Sequence, residues 1–387
     1  MTASGQHGEP SPRRYALVHR TTYTYDQPVT SSYGRTALTP RELPDQVVER
    51  TELEIQPAPA DREAHLDYFG NRSTYFAVTA PHRRLVVTSR STVAVARVAR
   101  SMATLPVVPW EDVAGAVRAG GASAAGGRGG AGVDDVGSGA TGAGAARDDD
   151  VWDGVVRDDV ADVGPGVDGP ADGPADGSVA HEPRAARGQD GRDGLDGIGI
   201  VALREAVLAS RHVSLDDAVR AWAEPSFTPG RPLAEILAEL ARRIRSELTY
   251  RSGSTTVRTT QRELLTQGAG VCQDFAHLMV AALRAHGLPA RYTSGYLETR
   301  PAPGKVKLRG ADASHAWVSA WVPGAGWVEI DPTNDCFVDD RYVILGWGRD
   351  YADVPPLRGV IFTEGSGSRL TVSVDLAPVD DLSTPPG

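Results

Sequence analysis

The 387-residue sequence has little cysteine and lacks any long apolar run. Its two cysteines, Cys272 and Cys336, are too few for a disulfide framework or a cysteine-rich zinc site. No run of about 18 apolar residues is present, which excludes a recognisable membrane-spanning helix. The polar residues 1–14 lack the apolar segment of a signal peptide. Cytoplasmic residence with reduced cysteines is therefore the expectation.

Net positive charge is also missing, because 40 basic residues face 50 acidic ones and the formal net charge is −10. Proteins that bind nucleic acid usually carry a basic patch or a high isoelectric point, so neither a nucleic-acid partner nor a membrane partner is expected. The sequence contains no Walker loop, no dinucleotide fingerprint and no regular spacing of metal ligands. We therefore expect neither a cofactor nor a metal ion.

The negative charge is concentrated in one segment, residues 119–197, which contains 21 of the 43 glycines. This segment holds 15 Asp and one Glu against six Arg, a sum of −10, so the remaining residues are formally neutral. With so little apolar surface it cannot offset the entropy of ordering. We predict a mostly disordered linker or insertion over residues 101–199, with an acidic docking segment as the alternative.

The sequences on the two sides of this linker differ in periodicity. Residues 14–100 alternate apolar and polar side chains over several short runs, which predicts an antiparallel, sandwich-like β domain. Residues 200–377 begin with helical patterns and continue with strands, which predicts an α+β domain. Residues 1–13 and 378–387 are predicted to be disordered ends.

Cys272 has the sequence context of a reactive thiol. It follows Gly268-Ala-Gly270 and begins a predicted helix over residues 271–286. Unpaired N–H groups at a helix start carry partial positive charge and stabilise a thiolate. The alternative is that Cys272 is a small, buried apolar residue.

A cysteine nucleophile needs a base, and His277, His286 and His315 are the candidates. His277 lies about 140° around the predicted helix from Cys272 at 100° per residue, and His286 is near the far end of that helix. His315 lies on a predicted strand, and the turn after that strand brings Asp331 beside it on the next one. Such a carboxylate fixes the orientation of a catalytic imidazole. The alternatives are an ordinary strand histidine and an aspartate that begins a turn.

Five motifs, in this order, resemble those of the bacterial transglutaminase-like superfamily. They are Gly270-Val-Cys272-Gln-Asp-Phe-Ala-His277, Gly287-Leu-Pro-Ala-Arg-Tyr292, Ser294-Gly-Tyr-Leu297, Asp312-Ala-Ser-His315-Ala-Trp317 and Gly326-Trp-Val-Glu-Ile-Asp331-Pro-Thr-Asn334. Residues 15–98 resemble the β-rich N-terminal region of the same group, and residues 348–359 resemble its tail. The resemblance implies a papain-like α+β core in which Cys272 is the nucleophile, His315 the base and acid, and Asp331 the residue that orients His315.

The resemblance leaves the reaction open. Hydrolysis of an amide bond in a protein or peptide is favoured; transfer to an amine, as by a protein-glutamine gamma-glutamyltransferase, and a non-catalytic scaffold are the alternatives. It also suggests neighbouring enzymes of peptide-bond chemistry as partners.

Further residues are candidates for contact with the substrate. Trp317, Trp327 and Tyr296 are proposed to line the acyl groove, with core packing as the alternative. The backbone N–H of Cys272 is expected to bind the oxyanion, and papain-like enzymes use an upstream glutamine as well, for which Gln261 and Gln267 are candidates.

Overall fold

The computed structural model describes residues 12–120, 152–153, 199–299, 314–365 and 367–379. Most of the predicted linker and of the predicted disordered ends lies outside the described residues. Within these ranges the chain forms two large antiparallel sheets and a group of helices. No helix in this part of the chain is long and apolar enough to cross a membrane.

The elements before residue 199 are mainly strands: β1 (Arg13–Thr36), β2 (Gln46–Gln56), β3 (Asp61–Leu66), β4 (Arg72–Val78), β5 (His82–Val95), α1 (Trp110–Ala119) and β6 (Trp152–Asp153). Helices and strands follow: α2 (Ile200–Glu205), α3 (Asp217–Ala223), α4 (Leu233–Glu247), β7 (Thr249–Tyr250), α5 (Gln261–Gln267), β8 (Ala269–Gly270), α6 (Cys272–Ala285), β9 (Ala290–Leu297), β10 (Ser314–Val322), β11 (Gly326–Asp331), β12 (Cys336–Phe337), β13 (Tyr342–Gly348), β14 (Leu357–Thr363) and β15 (Ser368–Pro378).

Strand β1 is the centre of an eight-stranded, curled antiparallel sheet. It pairs with β5 and then β4 on one side, and with β15 and then β14 on the other. Buried and exposed residues alternate along much of β1, as expected for a strand with one packed face. Its inward side chains, among them Tyr23 and Tyr25, join Phe76 and Leu85 in a core of their own.

The second sheet has five antiparallel strands in the order β12-β11-β10-β9-β13. Helix α6 covers one face of this sheet, and its residues 274–284 are all buried. Val318 and Ile330 face the helix side in the main core, so the alternate residues of β10 and β11 face the other way. The predicted α+β class, with an N-terminal β region, is confirmed.

The two sheets are packed against each other through a shared apolar cluster. Tyr15 and Leu17 of β1 lie in this cluster with Tyr296 of β9 and Val343 of β13. The first sheet is therefore joined to the second by buried side chains.

Two predicted boundaries are wrong. Strands β14 and β15 fall inside the range predicted for the second domain, 200–377, but they complete the first sheet, from Tyr15 opposite Pro378 to Tyr25 opposite Ser368. Helix α1 falls inside the predicted linker, 101–199, yet its Val113 is buried in the main core. Period-two and helical patterns reveal an element but not the partner against which it packs.

Candidate active site

Cys272 is the first residue of α6, and a tight glycine-containing turn leads into it. Gly268 ends α5 with a φ of +68°, a left-handed conformation that favours glycine. At Gly270 an added Cβ would lie 2.6 Å from a methyl group of Leu264, so no larger residue fits. The turn leaves the Cys272 side chain half-buried at the unpaired N–H groups of the helix start.

Asp274 holds this turn in place. Its Oδ2 accepts hydrogen bonds from the backbone N–H of Val271 at 2.9 Å and from the hydroxyl of Thr255 at 2.6 Å. Burial raises the pKa of Asp274, and these two hydrogen bonds oppose the rise. The carboxyl group therefore fixes the backbone immediately before Cys272.

His315 and Asp331 lie on the neighbouring strands β10 and β11. Nε2 of His315 is 2.7 Å from Oδ2 of Asp331, in a hydrogen bond between a nearly buried imidazole and a fully buried carboxylate. The side chain of Cys272 interacts with the same imidazole and helps to raise its pKa. Since Asp331 occupies Nε2, Nδ1 is the ring nitrogen left for the thiol.

The Asp331 carboxylate is saturated with donors. Oδ2 also accepts from the Asn334 amide at 2.6 Å and from the Tyr342 hydroxyl at 2.8 Å. Oδ1 accepts from the backbone N–H groups of Thr333 at 2.8 Å and Asn334 at 3.3 Å. A buried carboxylate with this many donors is held in its charged form.

The pKa values of His315 and Asp331 move in opposite directions. Burial alone would lower the pKa of His315, but the charge and hydrogen bond of Asp331, together with the contact of Cys272, raise it to about 10. Burial would raise the pKa of Asp331, but the charge and hydrogen bond of His315, with the bonds from Asn334 and Tyr342, lower it. At neutral pH the pair is therefore an imidazolium and a carboxylate.

The other two candidate bases take structural contacts. Nε2 of His277 accepts a hydrogen bond from the backbone N–H of Tyr351 at 3.2 Å. The ring of His286 stacks on Phe227 with centroids 3.7 Å apart, and its Nδ1 lies 2.8 Å from the Ala282 carbonyl oxygen. Of the three histidines, the structure places only His315 against Cys272.

Two of the three aromatic residues predicted to line the acyl groove are packed in the interior, and the third borders a cavity. Trp317 and Tyr296 are fully buried; Trp317 packs beside His315 with ring centroids 6.0 Å apart, and the Tyr296 hydroxyl lies 2.7 Å from Nδ1 of His19. Trp327 borders a different cavity, which contains none of the three residues Cys272, His315 and Asp331 in its lining. Their contact with a substrate stays a prediction, because clustering in sequence does not specify the face of the sheet.

Both glutamines predicted as candidates for the second oxyanion donor bond to backbone groups of the chain. The amide nitrogen of Gln261 donates to the His212 carbonyl oxygen at 2.7 Å, and its amide oxygen accepts from the backbone N–H of Ser214 at 3.2 Å. The amide nitrogen of Gln267 donates to the Ala269 carbonyl oxygen at 2.7 Å. Gln261 therefore holds the loop before α3, and Gln267 holds the turn before α6. The backbone N–H of Cys272 belongs to the first residue of α6, as the sequence predicts.

Two residues of the site, Tyr342 and Asn334, have no predicted role. Asn334 stands in the quoted motif three residues after Asp331, a spacing at which a side chain can return to the same carboxylate. Tyr342 begins the apolar strand β13, a pattern that is typical of a buried core strand. Its hydroxyl reaches Asp331 only in the folded chain. Asp312 of the histidine motif lies outside the described residues.

The described residues contain no group of three or more His, Cys, Asp or Glu side chains arranged to hold a metal ion. What they bring together is a half-buried thiol at a helix start, an imidazole beside it and a buried carboxylate behind the imidazole. This arrangement can generate a thiolate, attack a carbonyl carbon and protonate a leaving group.

Comparisons with known proteins place the chain among relatives of similar sequence and fold. Residues 15–94 match the family described as "Bacterial transglutaminase-like N-terminal region", and residues 220–332 match the "Transglutaminase-like superfamily". An uncharacterized protein of Mycobacterium tuberculosis (strain ATCC 25618 / H37Rv) is 41% identical over 373 residues, which cover 95% of this chain and 93% of that protein.

Two further proteins are similar in fold or in a short segment. The crystal structure of "a Putative Cysteine Protease from Cytophaga hutchinsonii" superposes with a TM-score of 0.60 at 18% identity, covering 95% of this chain and 91% of that one, which is a likeness of fold. The "Protein-glutamine gamma-glutamyltransferase" of Pseudomonas aeruginosa is 43% identical over 67 residues, which are 17% of this chain and 10% of that protein.

Proposed function

The chain belongs to the transglutaminase-like superfamily, and from this premise we propose that it is a cysteine enzyme that acts on amide bonds of proteins or peptides through a thioester. The observation that supports the proposal is the contact of Cys272 with His315 and of His315 with Asp331. A thiol beside an imidazole that is oriented by a carboxylate is the arrangement that nucleophilic catalysis requires.

Each residue has one role in the proposed reaction. The Cys272 thiolate attacks the amide carbonyl carbon, and the new oxyanion lies near the backbone N–H of Cys272. The His315 imidazolium gives its proton to the leaving nitrogen as the C–N bond breaks, which leaves an acyl thioester on Sγ. Asp331 holds the imidazole in place and stabilises its positive charge.

Water is the proposed acceptor of the acyl group. His315, now neutral, takes a proton from water, whose oxygen attacks the thioester and releases a carboxylic acid and the thiolate. Cys272 is half-buried, which leaves part of the residue open to solvent. The cytoplasmic residence expected from the sequence also favours hydrolysis over cross-linking.

An amine acceptor is the second candidate. It is favoured by the local similarity to a protein-glutamine gamma-glutamyltransferase. In that case a primary amine replaces water in the second step, and the product is a new amide bond.

Product analysis separates the two reactions. The full chain is incubated with glutamine-containing peptides, with and without a fluorescent primary amine, and the peptides are analysed by mass spectrometry. Cleavage or conversion of glutamine to glutamate is expected, whereas an amine adduct would favour the second candidate.

Matched variants control this experiment. Cys272→Ala should abolish every product, while Cys336→Ala should retain them. Equal yields from the wild type and Cys272→Ala, or no product together with an unreactive Cys272, would reject the proposed function.

A further inference from the structure

A cavity of about 460 Å³ lies on the face of the five-stranded sheet that α6 leaves uncovered. One side of its lining comes from residues 43–45 and 97–100 of the N-terminal part of the chain, and the other from the sheet. The sheet contributes Arg291, Trp327, Glu329 and Trp347. The N-terminal part therefore closes a second concave site, which the proposed triad does not use.

Arg291 has a fixed position in this cavity. Its guanidinium lies 4.2 Å from the ring centre of Trp327 and 3.7 Å from that of Trp347. Stacking on two indoles holds the plane of the guanidinium and leaves its N–H groups directed along that plane. The Nε atom is buried, and none of the described residues accepts a hydrogen bond from it.

Other arginines in similar surroundings have their acceptors. Arg41 also lies 3.7 Å from the Trp347 ring, yet it donates to the Phe69 carbonyl oxygen and to Oδ1 of Asn71, each at 2.8 Å. Buried Arg284 donates to the Ala290 carbonyl oxygen at 2.9 Å and to three further acceptors. A buried N–H without an acceptor is costly, and the described chain supplies no acceptor for the Nε–H of Arg291.

Glu329 gives the same cavity a carboxylate. It lies two residues before Asp331 on β11, and its Oε1 accepts a hydrogen bond from the Ser319 hydroxyl at 3.1 Å. Glu329 and Arg291 attract each other by charge, but no direct ion pair joins these two described side chains. A cation and an anion therefore line one cavity without a direct ion pair between these two described side chains.

We propose that this cavity binds a small zwitterion, an amino acid or a short peptide, with its carboxylate on Arg291 and its ammonium group on Glu329. A guanidinium fork matches a carboxylate with two parallel hydrogen bonds. The volume is within the ordinary range for small-molecule sites. The site goes beyond the proposed amide chemistry, because the lining of the cavity contains no member of the triad.

Calorimetric titration of the full chain tests this site. The Cys272→Ala variant is used, so that turnover of the proposed active site cannot contribute heat. The probes are glutamine and glycylglycine, which separate the amino-acid source from the peptide source, with acetate and methylamine as the single-charge halves. The titration is run at about pH 8, because burial raises the pKa of Glu329.

We expect at least one of the two zwitterions to bind. Acetate and methylamine should each bind at least about tenfold more weakly than that zwitterion. Arg291→Gln and Glu329→Gln should each weaken binding by about ten- to a hundredfold. Arg41→Gln is the matched control, because Arg41 contacts the same indole but does not line the cavity, and its binding should equal that of the parent.

Absence of binding by both zwitterions up to about 10 mM would overturn the proposal. Unchanged binding in Arg291→Gln would overturn it too, and so would unchanged binding in Glu329→Gln. If Arg291→Gln does not fold, Glu329→Gln decides, since it keeps the size of the side chain. Neither result depends on whether Cys272 is catalytic.

Discussion

His315 reaches Asp331 diagonally across two strands, with 2.7 Å between Nε2 and Oδ2. The register that pairs Val318 with Ile330 places Trp317, not His315, directly opposite Asp331. The ring of Trp317 is packed 6.0 Å from the imidazole, and that of Tyr342 is 6.2 Å away on centroids. These two buried rings therefore set the direction of the imidazole toward both Asp331 and Cys272.

The first prediction concerns the reactivity of Cys272. Iodoacetamide should alkylate it rapidly near neutral pH, and His315→Ala should slow the reaction at least about tenfold, because the imidazolium that stabilises the thiolate is lost. The difference in alkylation rate between the wild type and His315→Ala should disappear above a pH of about 10, where the imidazole of His315 loses its proton.

Cys336→Ala is the control for this experiment, because it leaves only Cys272 to be alkylated. A rate that rises only near pH ~8.5, the ordinary value of a thiol, and that ignores His315 would contradict the proposed pair.

The second prediction is a pH dependence of stability. The pKa of His315 is about 10 in the folded chain against 6.5 for a free histidine, so protons bind more tightly to the folded state. This contribution is complete below pH 6.5 and is lost as the pH rises toward 10. In urea unfolding, the free energy of unfolding of Asp331→Asn should fall less between pH 6.5 and about 10 than that of the wild type. Asp339→Asn, on a partly exposed pair with Arg341, should leave it unchanged.

The third prediction isolates the Tyr342 hydroxyl. Tyr342→Phe removes its 2.8 Å hydrogen bond to Asp331 but keeps the ring that packs on Trp317. We expect the pKa of Asp331 to rise, because a hydrogen bond that lowers it is lost, and turnover to drop about tenfold with little change in KM. The pH profile of turnover is the measurement. An unchanged acidic limb would show that the hydroxyl is not part of the site's electrostatics.

The fourth prediction concerns packing under the site. At Gly295 an added Cβ would lie 2.2 Å from the Val343 carbonyl oxygen and 2.5 Å from the Trp317 ring. Gly295→Ala should lower the free energy of unfolding by about 3 kcal/mol. Gly115→Ala, within α1 with no atom inside 4 Å of the new methyl group, should raise it by about 0.5–1 kcal/mol. Denaturant midpoints measure both, and equal effects would contradict the crowding.

The part of the site that local rules define could be predicted from the sequence. Glycines before an apolar helix place Cys272 at a helix start, and a short turn between two strands brings His315 near Asp331. Tyr342 could not be found in this way. Its strand is separated from that of Asp331 by β10 and β9 in the strand order, so the sequence gives no sign that the hydroxyl reaches the carboxylate.

Local sequence patterns likewise predict some elements of the fold but not how distant elements pair. Helix α4 follows from its apolar periodicity, because it buries a stripe that the sequence displays. Helix α6 is buried over residues 274–284, and Gly287 and Pro289 mark its end in the sequence. The partner of β15 does not follow, since alternation along one strand is the same whichever sheet it joins. The stacking of Arg291 also depends on Trp347, more than 50 residues away along the chain.

Because β1 pairs with β14 and β15, the first sheet can be completed only after residues 357–378 have been translated. Strands β1 to β5 emerge first, and until residues 357–378 have been translated one edge of β1 has no strand beside it. An open edge of this length is a template for a neighbouring nascent chain. Translation that stops short of β14 therefore releases a polypeptide with the triad residues present but with a sheet edge open to aggregation.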